Sequence, residues 1–136
     1  MNRLEFQSLA VERLGDATAL LTAGRYSGAY YIAGYVVECA LKACISRKTN
    51  QDDFPPQTTK GYYTHEINAL LKTAGLDGDF HREAKADPDF ESYWKVVSNW
   101  TEHTRYQQRE QKDAEDLLTA IDDAQHGVLQ WLKKNW

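Results

Sequence analysis

The chain contains few of the features that mark secreted or membrane proteins. Its 136 residues include two cysteines and three prolines, and no apolar run approaches the ~20 residues that a membrane-spanning helix needs. Glu5 and Gln7 lie where a secretory signal would be apolar. Cys39 and Cys44 fall on one predicted helix, where their side chains diverge by ~140° and cannot easily form a disulfide. We therefore expect a cytoplasmic protein with reduced cysteines and no membrane association.

An excess of positive charge is also missing. The sequence has 16 Lys and Arg against 20 Asp and Glu, which gives a net charge of −4. A general polyanion binder depends on a broad basic field, so any contact with nucleic acid must be local. There is no Gly-rich phosphate loop and no nucleophile-elbow motif, which argues against P-loop enzymes and α/β-hydrolases.

A metal or cofactor site is not expected either. His65, His81, His103 and His126 fall on four different segments, and no Glu-x-x-His pair is present. Asp122 precedes His126 by four residues on one predicted helix, but such a pair is common by chance. We predict neither a metal nor a cofactor.

What the sequence does contain is helical periodicity. Residues 4–22 predict a first amphipathic helix that ends near Gly24. Residues 25–47 predict a central helix that is apolar on two faces and therefore needs partners on both. A short turn between them predicts an antiparallel hairpin.

The second half of the chain predicts three further helices after a surface loop at 49–63, a loop long enough to suggest a function. The first of these is a short helix that is capped by Thr64 and runs through Leu71 before Gly75. After a turn at 77–79, a fourth helix runs from the Asp87–Pro88 pair to about Tyr106. A last helix is capped by Asp113 and runs to Leu132. No strand pattern competes with these helices. We expect an all-α protein, a single domain over residues 1–136 built as an up-and-down four-helix bundle plus a short extra helix.

Four segments resemble those of a known family. They are LLTAGRY at 20–26, AGYVVECALKA at 33–43, HEINALL at 65–71 and NWTEHTRY at 99–106. Together they resemble the HEPN domain, a small helical module often found beside minimal nucleotidyltransferases. The resemblance covers most of the chain and implies a bundle of four or five helices that commonly forms homodimers. It also implies a role in toxin–antitoxin, phage-defence or RNA-processing systems.

Many HEPN proteins are metal-independent ribonucleases with an Arg followed, after about four to six residues, by a His that handles the 2′-hydroxyl proton. No arginine here has that spacing. Ser98 occupies the position of the Arg, Asn99 matches the polar residue after it, and His103 matches the His. Asn99 and His103 share a face of the predicted helix, which could alternatively be a polar surface strip. On that helix Arg105 points away from His103, so Arg105 or Arg109 would supply the cation only across a homodimer.

Segment 103–112, HTRYQQREQK, is the one local patch with nucleic-acid character. Arg105, Tyr106, Arg109 and Lys112 are its candidate nucleotide- or RNA-binding residues, and the alternative is a solvated connection between helices. In one branch of the family a Tyr near the His is nucleotidylated, and the resemblance makes Tyr106 the candidate for this modification.

The central helix carries two more candidates. Glu38 and Lys42 are spaced as an i,i+4 pair at recurring Glu and Lys positions of the family. They form either a structural ion pair or part of a ligand or dimer surface. Tyr30, Tyr31 and Tyr35 either fill the core or stack a base. His65 is interpreted as a capping or packing residue.

Three functions follow as expectations. The first is a nucleotide- or RNA-associated protein that acts with a partner, a nucleotidyltransferase, in a prokaryotic toxin–antitoxin or defence system. The second is a divergent metal-independent endoribonuclease that uses His103 with Arg105 or Arg109. The third is a non-catalytic dimeric scaffold that docks another protein.

Overall fold

The computed structural model describes residues 1–47 and 64–136, which form seven α-helices and one 3₁₀-helix without a strand. The predicted all-helical class is confirmed. The helices are α1 (Arg3–Thr22), α2 (Tyr26–Ser46), α3 (Ile67–Thr73), α4 (Asp77–Ala86), α5 (Pro88–Ser98), the 3₁₀-helix (Glu102–Tyr106), α6 (Gln111–Asp122) and α7 (Val128–Lys133). The predicted loop at 49–63 lies outside the described residues.

Helices α1 and α2 pack along each other as the predicted hairpin. Asn2 and Glu5 form a reciprocal capping box at the start of α1. The turn after α1 depends on Gly24, whose φ of 76° lies in the left-handed region that favours glycine. The Arg25 amide then donates to the Leu20 carbonyl at 2.8 Å, which closes the turn.

Helix α2 is the centre of the fold, in contact with α1, α3, α6, α7 and the 3₁₀-helix. This arrangement explains why its sequence is apolar on two faces. Gly34, halfway along α2, faces the indole ring of Trp100, and a Cβ atom there would lie 1.9 Å from Trp100 Cε2. The absence of a side chain therefore lets the segment after α5 pack directly against the middle of α2.

The region around α3 and α4 differs from its prediction. Thr64 does not cap α3, because its Oγ1 accepts the Glu66 amide at 3.2 Å in a turn before the helix, and Glu66 takes the N-cap position. The predicted turn at 77–79 is the first turn of α4, a helix the prediction missed. Asp77 and Asp79 are favourable there because they face the positive end of the helix dipole.

Asp87 caps α5 as predicted, since its carboxylate accepts the amides of Asp89 and Phe90, both at 3.1 Å. The predicted continuation of this helix to Tyr106 is wrong, because α5 ends at Ser98. Thr101 adopts an extended conformation and forms a capping box with Thr104 that starts the 3₁₀-helix. Such local bonds between side chain and backbone compete with continued α-helix.

The last helix is also interrupted. Asp113 does not occupy the cap position but the third residue of α6, where it accepts the amide of Glu110, the actual N-cap. Helix α6 ends at Asp122, and the Asp123 carboxylate accepts the His126 amide at 2.8 Å in the turn before α7. His126 therefore does not share a helix with Asp122, contrary to the prediction.

An aromatic cluster fills the interior on the side of α4, α5 and α7. Its rings are Phe80, Phe90, Trp94 and Trp131. Among the described helices, none has both the length and the apolar character needed to cross a membrane.

Candidate functional site

An open cleft of about 580 Å³ lies between the start of α3 and the segment that joins α5 to the 3₁₀-helix. We call it the histidine cleft because His65 and His103 both line it. Its lining residues are Thr64, His65, Glu66, Ile67, Asn68, Ser98, Trp100, Thr101, Glu102 and His103. Pockets of this size accept small molecules.

A buried carboxylate holds His65 at the edge of the cleft. Glu38 is 5% exposed, and its Oε1 lies 2.7 Å from His65 Nδ1 while its Oε2 lies 3.4 Å from Lys42 Nζ. His65 Nε2 lies 3.7 Å from Glu102 Oε2. The predicted Glu38–Lys42 pair is therefore present, and the same carboxylate also orients His65. The sequence did not indicate this second role, because His65 is far from Glu38 along the chain.

Two residues that line the cleft also contain a buried polar atom without a hydrogen-bond partner among the described residues. The atoms are the hydroxyl oxygen of Ser98 and the indole Nε1 of Trp100. Trp100 is only 2% exposed, so its indole N–H is shielded from solvent. A buried donor or acceptor without a partner costs about 1–3 kcal/mol, so this part of the fold is less stable than a fully hydrogen-bonded arrangement would be.

The structure brings only part of the predicted catalytic set together. Ser98 and His103 line the same cleft, whereas Asn99 is the C-cap of α5 and is not a lining residue. The prediction that Asn99 and His103 share a helix face is wrong, because α5 ends at Ser98. His103 and Arg105 both belong to the 3₁₀-helix, in which successive residues rotate by ~120°. Arg105 does not line the cleft either.

The residues of the predicted binding patch at 103–112 do not form one surface, because their side chains contact different parts of the molecule. The Arg105 guanidinium lies over the Tyr106 ring, 4.7 Å from its centroid. The Arg109 guanidinium lies 4.4 Å from the centroid of Tyr30, beside a different depression of about 500 Å³ at the start of α2. Lys112 pairs with Asp116 at 2.9 Å, and this contact raises the pKa of Lys112.

The tyrosines of α2 act mainly as packing residues. Tyr30 is 5% exposed, and burial raises the pKa of its hydroxyl. Tyr35 lies edge-on to Trp100 at a centroid distance of 5.2 Å, and its hydroxyl is 3.0 Å from that of Tyr31. Burial also raises the pKa of Tyr35. This geometry makes Tyr35 a support for the cleft wall.

Both cysteines are buried and free, in agreement with the sequence prediction. Burial raises the pKa of the Cys39 thiol to about 11 and that of the Cys44 thiol to about 12. Neither thiol has the lowered pKa of a reactive nucleophile.

One group within the described residues has the composition of a metal site. Ligand atoms of Asp87, Asp89 and His126 lie within 4.8 Å of one another. However, Asp87 already caps α5 and accepts or shares a proton with His126 Nδ1 at 2.7 Å. The group also faces the positive end of the α5 dipole, which disfavours a cation. It therefore serves as a link between the α4–α5 and α6–α7 turns.

Comparison with known families gives a match over nearly the whole chain. A family model described as HEPN domain matches residues 6–136, which include the histidine cleft. Neither the curated proteins nor the solved structures include one that matches. The chain therefore belongs to the HEPN domain family.

Proposed function

We propose that this single-domain protein binds a nucleotide or RNA in the histidine cleft. The observation that carries this proposal is the concave cleft of about 580 Å³ in which polar side chains from two separate segments of the chain, His65 and His103 among them, come together. These side chains can donate to and accept from a bound ligand. Membership of the HEPN family supports a nucleotide- or RNA-related ligand.

The proposal includes a setting. We infer that the protein is cytoplasmic and acts with a nucleotidyltransferase partner in a prokaryotic toxin–antitoxin or defence system, as the family resemblance implies. We also infer a homodimer, because HEPN domains often dimerise.

Calorimetric titration with mononucleotides and short single-stranded RNA tests the ligand. We expect Ser98→Ala and Trp100→Phe each to weaken binding about fivefold to tenfold, because both substitutions change the lining of the cleft. Trp131→Phe is the matched control, since Trp131 lies in the aromatic cluster of α4, α5 and α7 and does not line the cleft. Equal affinity in all four proteins, or no binding at all, would contradict the proposal.

A second candidate function is a divergent metal-independent endoribonuclease. The observation that favours it is the presence of two histidines, His65 and His103, in one cleft. One imidazole would take the proton of the RNA 2′-hydroxyl as its oxygen attacks phosphorus, and the other would protonate the leaving 5′-oxygen. Arg105 or Arg109, from either subunit, would stabilise the charged phosphate.

Comparison of His103→Ala with His81→Ala separates the enzyme from the binding protein. His81 lies on α4 and does not line the cleft. An endoribonuclease would lose chelator-resistant RNA cleavage and growth arrest only in His103→Ala. Identical behaviour of both variants and wild type would exclude His103 catalysis. If RNA and nucleotides do not bind either, the remaining function is a dimeric scaffold for another protein.

A further inference from the structure

An open depression of about 500 Å³ lies at the start of α2. It is separate from the histidine cleft, because the two share no lining residue. The turn between α1 and α2, the first residues of α2 and Arg109 line it. Of its described lining residues, Arg25 and Arg109 are arginines and none is aspartate or glutamate. A concave surface whose only charged side chains are positive suits an anionic ligand.

Neither of these two arginines forms an ion pair with a carboxylate of the described residues. The Arg109 guanidinium donates to Gln107 Oε1 at 2.7 Å and lies over the Tyr30 ring, and both of these partners are uncharged. Several other cationic side chains do pair with carboxylates, namely those of Arg13, Lys42, Arg82, Lys95 and Lys112. Two uncompensated positive charges therefore meet at one depression in a protein whose net charge is −4.

The start of α2 adds to this positive charge. Arg25 is the N-cap of α2 and makes no side-chain capping bond, and the first turn contains no acidic residue. The first amide bond of the helix joins the Ala29 N–H to the Arg25 carbonyl at 2.9 Å, so the amides of residues 26–28 have no acceptor within the helix. Cations are unfavourable at this end because the helix dipole is positive there, and a bound anion relieves the repulsion.

Contacts with α2 hold Arg109 in place beside the depression. Ser27 Oγ accepts the Arg109 amide at 2.8 Å and donates to the Arg109 carbonyl at 3.4 Å. The Arg109 Cζ atom lies 4.4 Å from the ring centroid of Tyr30, which is 5% exposed. This contact restricts the guanidinium before a ligand arrives, which lowers the entropy cost of binding. Arg25 is exposed and can move toward a ligand.

We propose that this depression binds a phosphate group, with Arg25 and Arg109 as its cationic contacts. A phosphate monoester carries a charge of about −1.5 to −2 near neutral pH, which two guanidinium groups balance. Each guanidinium can donate two parallel N–H groups to phosphate oxygens. A carboxylate carries one negative charge and would leave one arginine uncompensated. Free phosphate and the phosphate of an organic ester share this chemistry. The site is additional to the ligand site proposed in the histidine cleft and does not depend on it.

Calorimetric titration with inorganic phosphate, ribose 5-phosphate and ribose tests this site. We expect both phosphates to bind and ribose, which lacks the phosphate, to show no measurable binding. The affinity should fall as salt rises, because the contacts are ionic. Ribose 5-phosphate that binds at least about tenfold more tightly than inorganic phosphate would identify an organic ester as the ligand, and similar affinities would identify the free anion.

Arg25→Gln and Arg109→Gln are compared with Arg82→Gln, which changes the net charge by the same amount. Arg82 lies on α4, pairs with Asp79 and does not line the depression. We expect the first two variants to lose about tenfold or more in affinity for phosphate, and Arg82→Gln to bind as wild type does. Because Arg25 is exposed, its replacement should leave the fold intact.

Equal phosphate affinity in wild type and all three variants would overturn the inference. Equal binding of ribose and ribose 5-phosphate would also overturn it, as would the absence of phosphate binding. None of these results would affect the proposal for the histidine cleft, because Arg25 and Arg109 do not line that cleft. Binding there is measured separately with Ser98→Ala and Trp100→Phe.

Discussion

Glu38 illustrates how a single buried residue can connect the core to the candidate site. Its carboxylate contacts Lys42 within α2 and His65 across the cleft edge, while it is itself 5% exposed. Helical spacing was sufficient to predict the contact with Lys42, because residues four apart share a helix face. The contact with His65 depends on the tertiary arrangement of α2 and the segment before α3, and no local pattern reports it.

Removal of Glu38 should be costly because both His65 and Lys42, whose side chain is 12% exposed, lose their contact with this carboxylate. We expect Glu38→Ala to lower the free energy of unfolding by about 3 kcal/mol, and Glu38→Ala combined with Lys42→Met to lower it by less. Urea denaturation measures both changes. Glu91→Ala is the control, since its exposed pair with Lys95 should contribute no more than about 1 kcal/mol. A double variant less stable than Glu38→Ala would contradict this interpretation.

The cleft residues differ in how far the sequence could identify them. The positions of Ser98 and His103 followed from the family resemblance, and the structure brings both to one cleft. Trp100 was only one member of an apolar stripe in the sequence. Its importance comes from its packing on Gly34 and from its unpartnered indole N–H, two facts that require tertiary structure.

At the scale of elements, strong periodicity gave reliable predictions and turn chemistry gave the errors. Helices α1 and α2 follow their predicted limits closely because apolar residues recur at helical spacing along both. The continuation of α5 to Tyr106 was wrong because the Thr104 hydroxyl accepts the Thr101 amide and donates to the Thr101 carbonyl. The final helix breaks because the Asp123 carboxylate accepts the amides of Gln125 and His126 in a local turn. Gly127 suits this turn, since a Cβ atom there would lie 2.5 Å from the Asp123 carbonyl oxygen.

The contact between α2 and the segment after α5 can be tested at Gly34. We expect Gly34→Ala to lower the free energy of unfolding by about 1–3 kcal/mol, because its methyl group would overlap the Trp100 ring. The variant should also weaken ligand binding, since Trp100 forms part of the cleft wall. Chemical denaturation and titration measure the two effects.

Gly15→Ala provides the control for this substitution. Gly15 lies on α1, and no atom of the described residues lies within 4 Å of the position that a Cβ atom would take there. Alanine should therefore raise stability by up to about 1 kcal/mol through helix propensity. If Gly34→Ala were equally stabilising, the close packing of Trp100 on α2 would be contradicted.

The hydrogen bond between His126 and Asp87, which links the α4–α5 and α6–α7 turns, predicts that the free energy of unfolding depends on pH. The hydrogen bond to Asp87 raises the pKa of His126 above 6.5, and the bond to His126 lowers the pKa of Asp87 below 3.8. The His126 contribution is complete below pH 6.5 and is lost as pH rises through its folded-state pKa. The Asp87 contribution is present above pH 3.8 and is lost as pH falls through its own folded-state pKa.

We therefore expect the difference in free energy of unfolding between wild type and His126→Gln to be greater at about pH 5.5 than at about pH 8. Urea denaturation at the two pH values measures it. His81→Gln should leave the pH dependence of wild type unchanged, because His81 makes only a ring contact with Phe80 among the described contacts. A difference that is constant with pH would contradict the role of the His126–Asp87 bond.

At the scale of the whole molecule, the fold is a helical HEPN domain built around α2. Its net charge of −4 would repel a polyanion from most of the surface, so the proposed nucleotide or RNA ligand should bind at a local cleft. We expect a homodimer in sedimentation equilibrium at micromolar concentration, and a monomer under those conditions would contradict the proposed assembly.

Ligand occupancy of the histidine cleft is most directly observed at the indole N–H of Trp100. Two-dimensional ¹⁵N–¹H NMR resolves the indole signals of the four tryptophans, and Trp100→Phe assigns the one that belongs to Trp100. On addition of a saturating mononucleotide we expect this signal to move, because Trp100 lines the cleft, while the Trp131 signal stays fixed. A saturated complex in which the Trp100 signal does not move would contradict binding in the cleft.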